Sequence, residues 1–144
     1  MHFYAEAANR IEVVKLLNEA LATELVCVLR YRRHHFMAGG SQSKNIAEEF
    51  LQHANHELGH VDQLARRIVQ LGGEPDFSPD SLTIRSHVEY ITGQSLCDMI
   101  AENLIAERIA INRYRELIRY LAWEAGVSVA IVCISFSRSS GLIR

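Results

Sequence analysis

The chain has 144 residues, 49% of them hydrophobic and 22% charged, with a net charge of −2. That length buries a core without disulfide or metal staples, and a near-neutral charge supplies no electrostatic footprint for nucleic acid or an anionic membrane. Cys27, Cys97 and Cys133 are widely spaced, which excludes a disulfide framework and a CxxC knuckle and fits a reducing, cytoplasmic setting.

The first ten residues carry Glu6 and no apolar run, so no signal peptide is expected there. The first periodic segment covers about Ile11 to Ala38. On a helical wheel Val14, Leu17, Leu21, Leu25, Val28 and His35 share one stripe, and Gly39-Gly40 ends it. Ser43 is a plausible N-cap for a second segment, about Lys44 to Leu71, striped by Ile46, Phe50, Ala54, Val61, Leu64, Ile68 and Leu71. So short a link makes these two helices antiparallel neighbours. Gly72-Gly73 and Pro75 stop the second helix.

Residues Glu74 to Gln94, with Pro75, Pro79 and Gly93, form a connection of a length that predicts a crossover along the whole bundle. Ser95 with Asp98 then reads as a shortened capping box. It opens a third helix to about Leu121, striped by Leu96, Met99, Ile100, Ala110, Ile111, Tyr114, Leu117, Ile118 and Leu121. The stretch Val127 to Phe136 is β-branched, with a local preference for strand, and about half the length of a membrane span. One domain, 1–144, is expected, with an atypical tail over 124–144.

Ionisable residues on these apolar stripes carry the functional signal. Glu24 lies inside the first stripe between Leu21 and Val28, with Tyr31 one heptad further along. Glu57 sits near the centre of the second, and His60, three residues on, lies within about 60° of that centre. Glu107 is central to the third, between Asn103 and Tyr114. A single such Glu often snorkels to solvent. Three carboxylates on three core faces would repel one another, and a bound cation resolves the conflict. Oxygen-rich donors with one imidazole suit iron or manganese. Tyr31 and Tyr114 are placed to hydrogen-bond ligand carboxylates, although aromatic residues on a stripe are commonly core.

The segments Leu21-Ala-Thr-Glu24-Leu-Val-Cys-Val-Leu-Arg-Tyr31, His53-Ala-Asn-His56-Glu57-Leu-Gly-His60, and Ala101 to Ile118 with Ala106-Glu107-Arg108 resemble the first three helices of bacterioferritins, over about residues 10–121. The resemblance implies an all-α, ferritin-like antiparallel bundle with a long crossover between helices 2 and 3. It implies iron storage and detoxification, with Fe(II) oxidised by dioxygen or peroxide at a dinuclear site, and a homo-oligomer. By the same resemblance Glu24 and Glu107 are terminal ligands, Glu57 a bridging ligand and His60 a terminal ligand. The family's haem methionine, directly after the second-helix Glu, is replaced by Leu58, so no haem is expected. After Glu124 the chain has no Asp, Glu or His, so the fourth-helix ligands of the family are missing. A shifted reading frame near Trp123-Glu124 or a genuine variant tail would each produce this, and the gene sequence decides between them. An altered fourth helix predicts self-association through the apolar face it leaves.

Two other functions fit parts of the pattern. An incomplete dimetal site would make the chain a non-catalytic metal-binding or structural subunit. His56-Glu57-Leu-Gly-His60 also has the form HExxH of zinc peptidases, but His56 falls about 100° from the stripe centre while Glu57 points inward. The other histidines have bland readings: His34 and His35 as helix-end cations, and His53 and His56 as solvated or supporting a ligand. The cysteines read as small hydrophobes.

Overall fold

The computed structural model describes residues 2–40 and 43–124, with side chains over 9–40 and 43–121. The expectations for the tail, including its strand preference and the altered fourth helix, lie outside the described residues. The described residues form four helices: α1 (His2–Met37), α2 (Lys44–Gln70), the single turn α3 (Leu82–Arg85) and α4 (Leu96–Glu124). There is no strand among the described residues, and no helix there is long and apolar enough to cross a membrane.

α1 is the central element and packs against each of the other three. The tight connection after Met37 turns the chain back, so Ile68 and Leu64 of late α2 meet Leu17 and Leu21 of early α1, with Leu117 and Leu121 of α4 in the same cluster. At the other end Phe50 and Ala54 of α2 join Tyr31 and Cys27 of α1 and Met99 and Ala106 of α4. α2 and α4 therefore both run antiparallel to α1. The buried set of α2 follows the predicted stripe closely and adds Glu57 and His60.

The stripe expected on α1 is too narrow. Val13, Leu17 and Leu21 are buried, but so are Val26, Cys27, Arg30 and His34, while Val14, Leu25, Val28 and His35 are only half-buried. Packing on three sides, rather than one, explains the breadth. His34 is consequently not a solvated helix-end cation. Its Nδ1 accepts from Asn103 Nδ2 at 2.9 Å and its Nε2 lies 3.0 Å from the Thr92 carbonyl. Burial holds its pKa below the ordinary histidine value.

The end of α2 is set by glycine. Gly72 has φ of 78°, and the Gly73 amide donates to the Ile68 carbonyl at 2.9 Å, closing a Schellman turn. Gly73 itself has no room for a side chain, since a Cβ would stand 2.7 Å from Val14 Cγ1. The crossover then runs along α1 from Asn18 to Arg33. Asn18 bonds Glu74 and Asp76, Thr23 accepts from the His87 amide, Arg30 donates to the Glu89 carbonyl and Arg33 to that of Thr92. From Asn18 to Arg33 is about 22 Å of helix at 1.5 Å per residue. Arg85 ties the crossover internally through the Asp76 and Ser78 carbonyls.

The two predicted caps differ. Ser95 Oγ accepts from the Asp98 amide and Asp98 Oδ2 from the Ser95 amide, both at 3.1 Å, which is the reciprocal box. Hydrogen bonding to Ser95 holds the Asp98 carboxyl below its ordinary value. Ser43 occupies the N-cap position of α2 without capping it, its hydroxyl turned back to the Gly40 carbonyl at 3.5 Å.

Candidate metal centre

The bundle brings side chains from two helices to one place near its middle. α1 contributes Glu24, α2 contributes Glu57 and His60, and one ligand atom from each lies within 4.8 Å of the others. All three are buried, Glu24 to 3% exposure. His60 Nδ1 lies 2.9 Å from Glu57 Oε2 and 3.7 Å from Glu24 Oε1. The i, i+3 spacing on α2 puts Glu57 and His60 on the face that meets α1.

Glu107 stands apart from this trio but lines the same small cavity, together with Glu24, Glu57, Cys27, Tyr31 and Tyr114. That cavity has a volume of about 10 Å³, close to the space of one water. The tyrosines link the helices crosswise. Tyr31 of α1 donates to Glu107 Oε1 of α4 at 2.6 Å, and Tyr114 of α4 donates to Glu24 Oε1 of α1. Both therefore hold a carboxylate, which the sequence left open against a purely apolar role. Burial and the Glu107 charge push the Tyr31 hydroxyl well above the ordinary tyrosine value, so it remains a donor.

Protons partly compensate the crowded carboxylates. Burial, and then the charge of Glu24, push Glu57 up to about 8. For Glu24 burial acts upward, yet hydrogen bonds with Glu57 and His60 and the His60 charge hold it below the usual carboxylate value. Burial opposes the charged form of His60, but its bonds to Glu24 and Glu57 outweigh this and raise it to about 9. Near neutral pH the cluster is thus a Glu24 carboxylate, a protonated Glu57 and a His60 imidazolium. A divalent cation would displace the latter two protons. Cys27, buried beside the cluster, has its thiol pushed well up by burial and by Glu24, and stays protonated.

Several residues fall elsewhere than the sequence suggested. His56 is exposed and lies outside the cluster, so the two histidines of HExxH do not converge. Cys97 is exposed at the start of α4, not packed as a hydrophobe, because the first turn of that helix is at the bundle's end. His53, read as bland, has its ring stacked on Tyr31 at 5.1 Å and its Nδ1 3.8 Å from Glu107 Oε1. The signal for it was its spacing: His53, Glu57 and His60 stand at i, i+4 and i+7 on one helix face. Arg30, 2% exposed, donates to the Glu89 carbonyl and to Asn103 Oδ1, and its Nε has no hydrogen-bond partner.

A bundle of long helices, joined by a crossover and converging carboxylates and a histidine at mid-length, defines the class of helical metal-carboxylate proteins. The chain belongs to the ferritin-like domain family, whose family model matches residues 14–126. It is 26% identical over 111 residues to a bacterioferritin of Desulfovibrio desulfuricans, covering 77% of this chain and 58% of that protein. It is 30% identical over 105 residues to a nutrient stress-induced DNA-binding protein of Nostoc sp., covering 72% and 57%. The chain thus spans less than two thirds of the length of these relatives. Among solved structures, Dps from Thermosynechococcus elongatus superposes with a TM-score of 0.88 at 19% identity, covering 96% of this chain and 88% of that one. A dodecameric thioferritin, the bacterioferritin-related protein of Bacteroides fragilis, gives 0.84 at 21% identity, covering 92% and 80%. These likenesses establish the fold.

Proposed function

We propose that this protein binds Fe(II) and stores it in oxidised form, as a bacterioferritin-like iron storage and detoxification protein with a dinuclear carboxylate centre. The observation that carries this is the convergence of Glu24, Glu57 and His60, buried, from two helices, with ligand atoms within 4.8 Å. Their donor set is two carboxylates and one imidazole, which suits a hard to borderline divalent ion and offers no thiolate. The family membership and the bacterioferritin relatives support iron as that ion.

Iron is here the substrate, oxidised with dioxygen or peroxide as acceptor. The chain's own residues would do four things. Glu24 binds as a carboxylate already ionised, fixed in orientation by Tyr114. Glu57, which lines the same cavity as Glu24 and Glu107, would bridge. His60 supplies Nδ1 once its proton leaves. Glu107, fixed by Tyr31, faces the same cavity as a ligand for a second ion. No haem is assigned, and the DNA-binding role in the names of some relatives is not carried over to a chain with a net charge of −2. Assembly into a homo-oligomer is part of the proposal, supported by the dodecameric thioferritin that shares the fold.

A second role has one specific observation behind it: Glu107 stands outside the Glu24–Glu57–His60 trio, and a centre that holds a single ion would bind metal without turning it over. Anaerobic Fe(II) titration of metal-free protein, followed by admission of oxygen, separates the two. Saturable binding and a ferric absorbance rise faster than in buffer establish the oxidase. Binding without faster oxidation establishes the non-catalytic subunit, and no saturable binding refutes both.

A further inference from the structure

Glu107 lines the same cavity as Glu24 and Glu57 but stands outside the Glu24–Glu57–His60 trio, which leaves the place of an imidazole beside it to be filled. We propose that His53 takes that place, so that His53 and Glu107 form the terminal ligand pair of a second metal position. This rests on the reading of Glu24, Glu57 and His60 as a metal site, and it changes which residues complete it.

Two parallel geometries support the assignment. His60 Nδ1 lies 3.7 Å from Glu24 Oε1, and His53 Nδ1 lies 3.8 Å from Glu107 Oε1. Donors about 2.1 Å from a shared ion stand about 3.0 to 3.6 Å apart, so each pair needs to close by between about 0.1 and 0.8 Å. Each carboxylate is also held by a tyrosine from the other's helix, Tyr114 on Glu24 and Tyr31 on Glu107. α2 then carries a histidine on either side of Glu57, four residues before and three after, all on one face. That leaves Glu57 between the two pairs, where a bridging carboxylate is needed.

The His53 ring is not loose. It stacks on Tyr31 with an interplanar angle of 17°, and the same Tyr31 hydroxyl bonds the Glu107 oxygen that faces His53. The two positions differ in access. The side chains of His60 and Glu24 are 5% and 3% exposed, those of His53 and Glu107 39% and 23%. The His53 position is therefore the outer one, open to ions arriving from solvent and weaker in affinity, because its ligands remain hydrated.

Co(II) is a redox-silent probe of this arrangement, read by calorimetric stoichiometry and by its visible d–d bands under metal-free starting conditions. The wild-type chain is expected to bind two Co(II) ions, the second more weakly. His53→Ala should lose the weaker ion, with affinity down by about a hundredfold or more, and keep the tighter one. Glu107→Gln should lose the same ion, and the double variant no more than either single one. His56→Ala, an exposed neighbour on α2, should keep both ions, and far-UV circular dichroism confirms that each variant folds. Two ions bound by His53→Ala, or one by the wild type, would overturn the assignment while leaving the Glu24–Glu57–His60 site intact. No Co(II) bound by the wild type would overturn the underlying site as well.

Discussion

Replacing Glu57 by glutamine separates what the site costs the fold from what it does for metal. In the metal-free protein Glu57 titrates at about 8, against an ordinary value of 4.5. Folding at pH 7 therefore takes up a proton that the unfolded chain has released. At about 1.4 kcal/mol per pH unit, that uptake costs on the order of 3 kcal/mol at pH 7 and under about 1 kcal/mol at pH 5. The sign follows from a raised folded value: the contribution of Glu57 is fully favourable below about 4.5 and is lost as the pH climbs towards about 8. Glutamine has nearly the shape of the protonated acid and takes up no proton. Glu57→Gln should therefore stabilise the metal-free protein, by a few kcal/mol at pH 7 and by much less at pH 5, while metal affinity collapses. Urea unfolding of both proteins at the two pH values, with chelator present, measures this. A gain equal at both pH values, or a loss at pH 7, would refute the proton-uptake reasoning.

Two further substitutions probe the frame around the site. Tyr114→Phe removes the hydroxyl that holds Glu24, and metal affinity by calorimetry should fall about tenfold to a hundredfold, as for other groups that orient a ligand. An unchanged affinity would show that Glu24 is oriented without Tyr114. Gly73→Ala would press a methyl group to within 2.7 Å of Val14, and urea denaturation should show a loss of about 1–3 kcal/mol with metal binding retained.

The second helix was the most legible part of the sequence. It is buried along one stripe, so its apolar period, Glu57 and His60 could be read directly from spacing. The crossover was legible from its prolines and its length, and the Ser95–Asp98 box from two residues. Helix α1 was harder because it is covered on three sides, and a single-stripe reading has no way to assign His34 or Arg30 to the interior. Ser43 had the right identity for a cap, but the turn after Gly40 drew its hydroxyl away. Glu24, Glu57 and His60 were found because charge on an apolar face is conspicuous. His53 is not legible in the same way, because it lies at the edge of that face and its meaning depends on Glu107, which is 54 positions away in the chain and adjacent only after folding.

Crystals grown metal-free and soaked anaerobically in Fe(II), with diffraction recorded on either side of the iron absorption edge, test the central claim most directly. Anomalous density among Glu24 Oε1, Glu57 Oε2 and His60 Nδ1 is the expected result. Iron found on surface carboxylates, with none at those three atoms, would contradict it.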